Sequence, residues 1–272
     1  MNLLKNWKIH VLTLLITLIA EYIGIQKLGL MVFLPLLYSL VLGFIISIPK
    51  LKLITEEEMV ASADYLNVAI MILMAKIGLG IGPNLGIILN SGWALILQEL
   101  GHFLGTILFG LPVALLVGMR REAVGACYSI DREPNIAIIT DKYGFDSPEG
   151  RGVMGMYICG TLFGAMWISV LSGFVSGLDI LHPYALAMGS GIGSASMMAA
   201  GTGSIVANYP DHAKEVVALA GAANLLTTVI GVYFALFISL PVMEKAYSLA
   251  TGRTREEDLE ADAKEQVANK EA

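Results

Sequence analysis

The amino-acid sequence predicts an all-α membrane protein of about eight transmembrane segments whose core contains broken helices. Three observations carry that expectation. Of 272 residues, 56% are hydrophobic and only 15% charged, against about 25% charged in an ordinary soluble domain, and mean hydropathy is +0.71. The apolar residues gather into runs long enough to cross a bilayer, which takes about 20 residues of helix. Several of those runs are interrupted by glycine, serine or proline, where a segment that only crossed lipid would use leucine.

In chain order the candidate spans are 9–26, 30–48, 65–89, 92–118, 123–142, 153–175, 184–207 and 213–241. Lys5 and Lys8 precede the first, Lys50 and Lys52 follow the second, and Arg120 and Arg121 follow the fourth. Lys245, Arg253 and Arg255 follow the last. Eight crossings with both termini in the cytoplasm put all these clusters inside, as the positive-inside bias expects. The expected location is therefore the cell's inner (cytoplasmic) membrane. If 123–142 enters and leaves on one side, the count drops to seven and the C-terminus moves outside. No small-residue cleavage site follows the first run, so it reads as a span and not a removable signal.

Residues 1–60 read as scaffold spans, 61–243 as a core holding the broken helices, and 244–272 as a charged cytoplasmic tail. From Arg253 to Ala272 there are four basic and seven acidic residues, half of the net charge of −6. Such a tail is a solvated helix or disordered. No basic stripe or interleaved aromatic platform suits a nucleic acid, so none is expected as a partner. Cys127 and Cys159 are too few for a disulfide scaffold and read as small buried hydrophobes.

The most informative stretch is PYALAMGSGIGSASMMAAGTGSIVAN at 183–208. Gly189, Gly191, Gly193, Gly201 and Gly203 each weaken a helix by roughly 1 kcal/mol relative to alanine. Backbone released from a helix is tolerated at membrane depth only inside protein or along a cavity. Segment 123–142, AVGACYSIDREPNIAIITDK, has Asp131, Arg132 and Glu133 at its centre, followed by Pro134. That proline biases Glu133 toward extended backbone and suggests two helical arms around a polar break. GLGIGPNLG at 78–86 is a milder interruption. Interrupted spans of this kind build the midplane sites of secondary transporters.

The order of features from about Leu66 to Leu240 resembles the LrgB/CidB type, the murein-hydrolase-regulator family. The segments that carry the resemblance are SIDREPNIAIITDKYG at 129–144 and GSGIGSASMMAAGTGS at 189–204. They stand where that family has a PKSVTTPIA-like and an SHGIGTA-like break. The likeness extends to an uncharacterised bacterial multi-span family within the bile-acid/sodium-symporter-like superfamily, which pairs a rigid panel with crossed broken helices. It implies a transport fold with an inverted-repeat-like core. The charged triplet in the first break departs from the murein-regulator pattern, so no substrate carries over.

Ionisable side chains inside spans are costly and usually face a cavity or one another. Arg132 offers a planar fork matched to a carboxylate; it holds an anionic substrate or forms a salt bridge with Asp131, Glu133 or Asp141. Glu133 binds a coupling cation or neutralises Arg132, and Asn135 bonds substrate or freed backbone. Glu99 and His102 share a helical face at i, i+3; they relay protons or satisfy each other between two helices. Lys76 balances Glu99, attracts an anion toward the 78–86 break, or snorkels near a helix end. In the glycine-rich break Ser194 and Ser196 are the candidate contacts, while Asn224, Thr227 and Thr228 read as interhelical glue.

The expected function is thus a secondary active transporter of a small organic anion, a carboxylate or amino-acid derivative, working by alternating access. No nucleotide-binding or hydrolase motif is present, so the chain is not expected to be an enzyme. No cofactor or metal is expected, and coupling to H+ or Na+ supplies the drive. Substrate would meet Arg132, Glu133 and Asn135 on one side and Ser194 and Ser196 on the other, with Glu99, His102 and Glu133 handling the coupling ion. Its partners are the anionic substrate and the lipid bilayer, and homodimerisation through the scaffold spans fits the architecture. The alternative is a pore-forming or regulatory membrane component acting with a partner protein.

Overall fold

Helix dominates. The computed structural model describes residues 6–28, 31–129 and 132–260. In chain order its helices are α1 (Trp7–Ile23), α2 (Pro35–Ser47), α3 (Glu56–Ile81), α4 (Leu85–Asn90), α5 (Gly92–Gly105), α6 (Leu111–Leu116) and α7 (Glu122–Cys127). There follow α8 (Arg132–Tyr143), α9 (Pro148–Cys159), α10 (Ala165–Gly177), α11 (Pro183–Ser190), α12 (Ala195–Asn208), α13 (Ala213–Phe234) and α14 (Leu240–Thr251). The fold is all-α apart from one small antiparallel hairpin, β1 (Gln26–Leu28) with β2 (Met31–Phe33), in which Gln26 faces Phe33. The span expected from residue 30 therefore starts later as a helix. Pro35 opens α2, where its fixed φ and missing N–H cost nothing.

Local chemistry explains most boundaries. Thr55 and Glu58 form a reciprocal capping box at the start of α3, which satisfies two otherwise orphaned backbone donors. A 3-10 turn at Gly82–Asn84 separates α3 from α4, at the proline where the sequence predicts an interruption. The break in 123–142 falls earlier than expected. Glu133 is already helical, because α8 begins at Arg132 and Pro134 lies in its first turn, where a missing N–H breaks no bond. The glycine-rich segment unwinds only at 191–194, and Gly201 and Gly203 lie within α12. A Cβ on Gly201 would lie 3.0 Å from Ile168 and from Ser172. Packing, and not unwinding, explains that glycine.

Among the described residues, two helices are long and apolar enough to cross a membrane: Gly92–Leu116, of 25 residues, and Pro210–Thr251, of 42. α2 and α10 are apolar but shorter. Each long helix carries a π turn, Thr106–Gly110 and Ala235–Ser239, immediately before a Leu-Pro pair, Leu111-Pro112 and Leu240-Pro241. A proline ring clashes with the carbonyl four residues back, here Leu108 and Phe237. A wider turn at that point relieves the clash without ending the helix.

The chain divides into two compact units, each built from two stretches of sequence: Met1–Gly92 with Thr161–Asn224, and Trp93–Gly160 with Leu225–Ala272. In the first, α10 packs along α12, and Ala187, Ile205, Val216 and Leu219 form a buried cluster. In the second, Val124, Tyr128, Ile139, Leu240, Met243 and Tyr247 belong to the core. There α7 and α9 meet through glycine. A Cβ on Gly125 would lie 2.0 Å from the Glu149 carbonyl oxygen, and one on Gly152 would lie 2.0 Å from that of Glu122.

Candidate functional site

Chemistry gathers at several places, each within one unit. In the second unit, α5 turns a polar face inward and an apolar face outward. Glu99 and His102 are 6% and 4% exposed, while Ile96, Leu97, Leu100, Leu104 and Leu108 are exposed along the same helix. Thr227 donates to Glu99 Oε1 at 2.6 Å, Gln98 donates to the same oxygen at 3.3 Å, and His102 Nδ1 lies 3.2 Å from Glu99 Oε2. The i, i+3 spacing thus gives the expected contact. Thr227, read from sequence as packing glue, supplies the third member. A buried carboxyl joined to an imidazole and a hydroxyl can take up and pass on a proton.

Asn135, near the start of α8 in the same unit, is 3% exposed. Its carbonyl accepts from the Tyr128 hydroxyl at 3.0 Å, while its side-chain Oδ1 is buried with no hydrogen-bond partner among the described residues. Such an orphan costs roughly 1–3 kcal/mol unless something fills the position. The side chains of Arg132 and Glu133, and all of Asp131, lie outside the described residues.

The Gly/Ser break belongs to the first unit. Gly193 has φ +92°, a conformation only glycine adopts without strain. Asn224 donates to the carbonyls of Gly191 at 2.9 Å and Gly193 at 2.7 Å. It fixes the unwound backbone from the side. Ser194 caps α12 by accepting from the Met197 N–H, and its hydroxyl lies 3.1 Å from that of Ser196. Both candidate serines are therefore engaged at the helix start. Deeper in, Ser190 pairs with Thr202 and Ser169 with Ser204, each at 3.1 Å.

A cavity of about 750 Å³ opens in the first unit beside α12. Met198, Ala199, Val206, Val217 and Ala218 supply much of its apolar wall, and Lys76 and Lys214 are its charged members. Pro83 and Asn84 of the 3-10 turn complete one side. Ser194 and Ser196 are not among the lining residues.

One cluster escaped the sequence reading. Arg121, taken there only as a flanking positive charge, is 2% exposed. Its Nε donates to Glu149 at 2.8 Å and its Nη2 to Glu244. Glu149 is 0% exposed and also receives Arg255 at 3.1 Å, while Tyr143 donates to Glu244. Burial opposes the Arg121 charge. Hydrogen bonds from Glu244 and Glu149 outweigh it and raise the guanidinium pKa above its ordinary value. The arrangement is a buried ionic knot in which both arginines bond Glu149 Oε1, while Glu149 Oε2 has no hydrogen-bond partner among the described residues.

No curated protein matches this chain, and no solved structure does. One family model matches residues 18–249, that described as protein of unknown function (DUF3100). It covers most of the sequence, so the chain belongs to the DUF3100 family.

Proposed function

We propose that this protein is a membrane-embedded secondary transporter that moves a small organic anion by alternating access, driven by H+ or Na+. The observation that carries this reading is the burial of Glu99 and His102 beneath the apolar outer face of Gly92–Leu116. Polar groups inside and leucines outside reverse the pattern of a helix that meets water, and suit one that meets lipid. An ionisable pair so placed is a coupling site by default. The unwound Gly191–Ser194 segment adds support, since broken helices supply the binding sites of such transporters. In the full proposal about eight segments cross the membrane, the core has inverted-repeat-like halves, and both termini lie in the cytoplasm.

The test is uptake of radiolabelled succinate, N-acetylglutamate and 4-phenylbutyrate into proteoliposomes under an imposed proton or sodium gradient. At least one should enter saturably. Glu99→Gln should abolish gradient-driven accumulation, down to the level of protein-free liposomes, while leaving exchange of labelled for unlabelled substrate. Undiminished flux in Arg132→Ala would remove that arginine from the site. Flux that never saturates and ignores Glu99→Gln would favour the pore-forming or regulatory reading instead.

A further inference from the structure

The cavity beside α12 combines a ligand-sized volume with two lysines on a largely apolar wall. Its volume, about 750 Å³, falls within the roughly 300–1,000 Å³ of pockets that enclose small organic ligands. Its wall is predominantly hydrophobic, with Met198, Val206 and Val217 among the contributors, yet Lys76 and Lys214 reach it from α3 and α13. Neither lysine is engaged elsewhere in the described structure. Thr202 also lines the cavity, but its hydroxyl is already committed to Ser190. The charged recognition offered to a ligand is therefore cationic, with Asn84 as a neutral polar neighbour, while most of the remaining surface rewards apolar contact.

We infer that this cavity binds an amphipathic organic anion, a molecule with one carboxylate or comparable acidic head and a compact apolar body. Its head pairs with Lys76 and Lys214, and its body lies against Met198, Val206 and Val217. The inference rests on the transporter reading for its biological sense, since it narrows the substrate class from organic anions at large to apolar ones. It does not rest on that reading for its evidence. Lysine recognises such a head as a compact point charge without demanding a fixed fork, so variation among acidic heads is tolerated more than loss of charge. A strongly hydrated dicarboxylate would gain less, because it has no apolar body to set against Met198, Val206 and Val217.

The experiment measures binding without transport. Protein in phosphatidylcholine nanodiscs is dialysed against 4-phenylbutyrate and against its uncharged amide, with empty nanodiscs as the blank. Saturable binding of the acid is expected, about tenfold or more tighter than that of the amide, as loss of a charge-assisted contact implies. Lys76→Gln with Lys214→Gln should bring the acid down to the level of the amide. Both lysines are exposed, so neither change threatens folding. Val217→Trp, at an exposed position of the wall, should weaken both ligands by filling the space.

Equal binding of acid and amide, or acid binding untouched by the paired lysine change, overturns the inference. So does displacement of the acid by phosphatidylglycerol added to the nanodisc at low mole fraction, which would assign the cavity to a lipid headgroup. Binding as expected with no uptake in proteoliposomes leaves this inference standing and sinks the transporter reading. Saturable uptake of succinate with no binding of phenylbutyrate does the reverse.

Discussion

Arg121 shows how much a single side chain can hold when its charge is buried and matched. Glu149 has no solvent exposure and depends on Arg121 and Arg255 for its compensation. Removing one member of such a pair leaves an uncompensated charge, which costs about 3–5 kcal/mol. Arg121→Met should therefore cost about that much, read as a fall in the unfolding midpoint of the protein in detergent. Arg255 contacts the same carboxylate but is substantially exposed. Arg255→Met should cost no more than about 1 kcal/mol, and equal losses in the two variants would contradict this ordering. Glu58 makes the opposite case, a surface carboxylate with a local task. The Thr55 N–H, then Lys8 at 3.0 Å, hold its pKa below the ordinary 4.5. A depressed pKa means that the charged form stabilises the fold above the unfolded value, and that this contribution is lost as pH falls through the folded one. Hydrogen-exchange protection at the start of α3 should thus decline in acid below about pH 4.5. Glu58→Ala, which removes the acceptor, should show the low protection at every pH.

Among elements, the tightest constraint is the approach of α7 to α9. Gly125 and Gly152 each face a carbonyl of the other helix, and a backbone cannot yield as a flexible side chain does. Gly125→Ala should destabilise by about 1–3 kcal/mol, the usual range for overpacking. Gly155, exposed on α9 with open space around its Cα, is the control. Gly155→Ala should stabilise slightly, by about 0.5–1 kcal/mol, through helix propensity. A similar fall in both variants would mean that the helices do not meet as described. The same contrast explains what the sequence revealed about its elements. Proline and glycine mark a break only where the backbone needs one, as at Gly82–Asn84 and Gly193. Gly201 and Pro134 carry the same letters but serve close packing and a helix start. The Leu-Pro pairs looked unremarkable in the sequence, since a π turn ahead of proline leaves no composition signal.

At the scale of the molecule, hydropathy identified an all-α chain and the face shared by Glu99 and His102, because both depend on local periodicity. It could not identify the Arg121 knot, whose partners lie 28 and 123 residues away, or the presence of Lys76 and Lys214 on the wall of one cavity. Nothing near Glu149 in sequence distinguishes a buried carboxylate from a loop one. What sequence and fold share is an inverted surface: in the two long helices, Leu104, Leu108 and Phe237 point outward while Glu99 and Thr227 are buried. That inversion has a direct chemical consequence. Thiolate, not thiol, attacks a maleimide, and hydrocarbon suppresses ionisation. In a background lacking the exposed Cys159, with Cys127 buried, Leu104→Cys, Leu108→Cys and Phe237→Cys should resist a charged maleimide applied to either side of sealed vesicles. They should react at least about a hundredfold more slowly than Glu256→Cys in the exposed tail, the ratio implied by a cost of about 3 kcal/mol for charge in a bilayer. All should label fully once the protein is denatured in detergent. Labelling of the three helix positions at the rate of the tail would place both helices in water and remove the basis for a membrane fold.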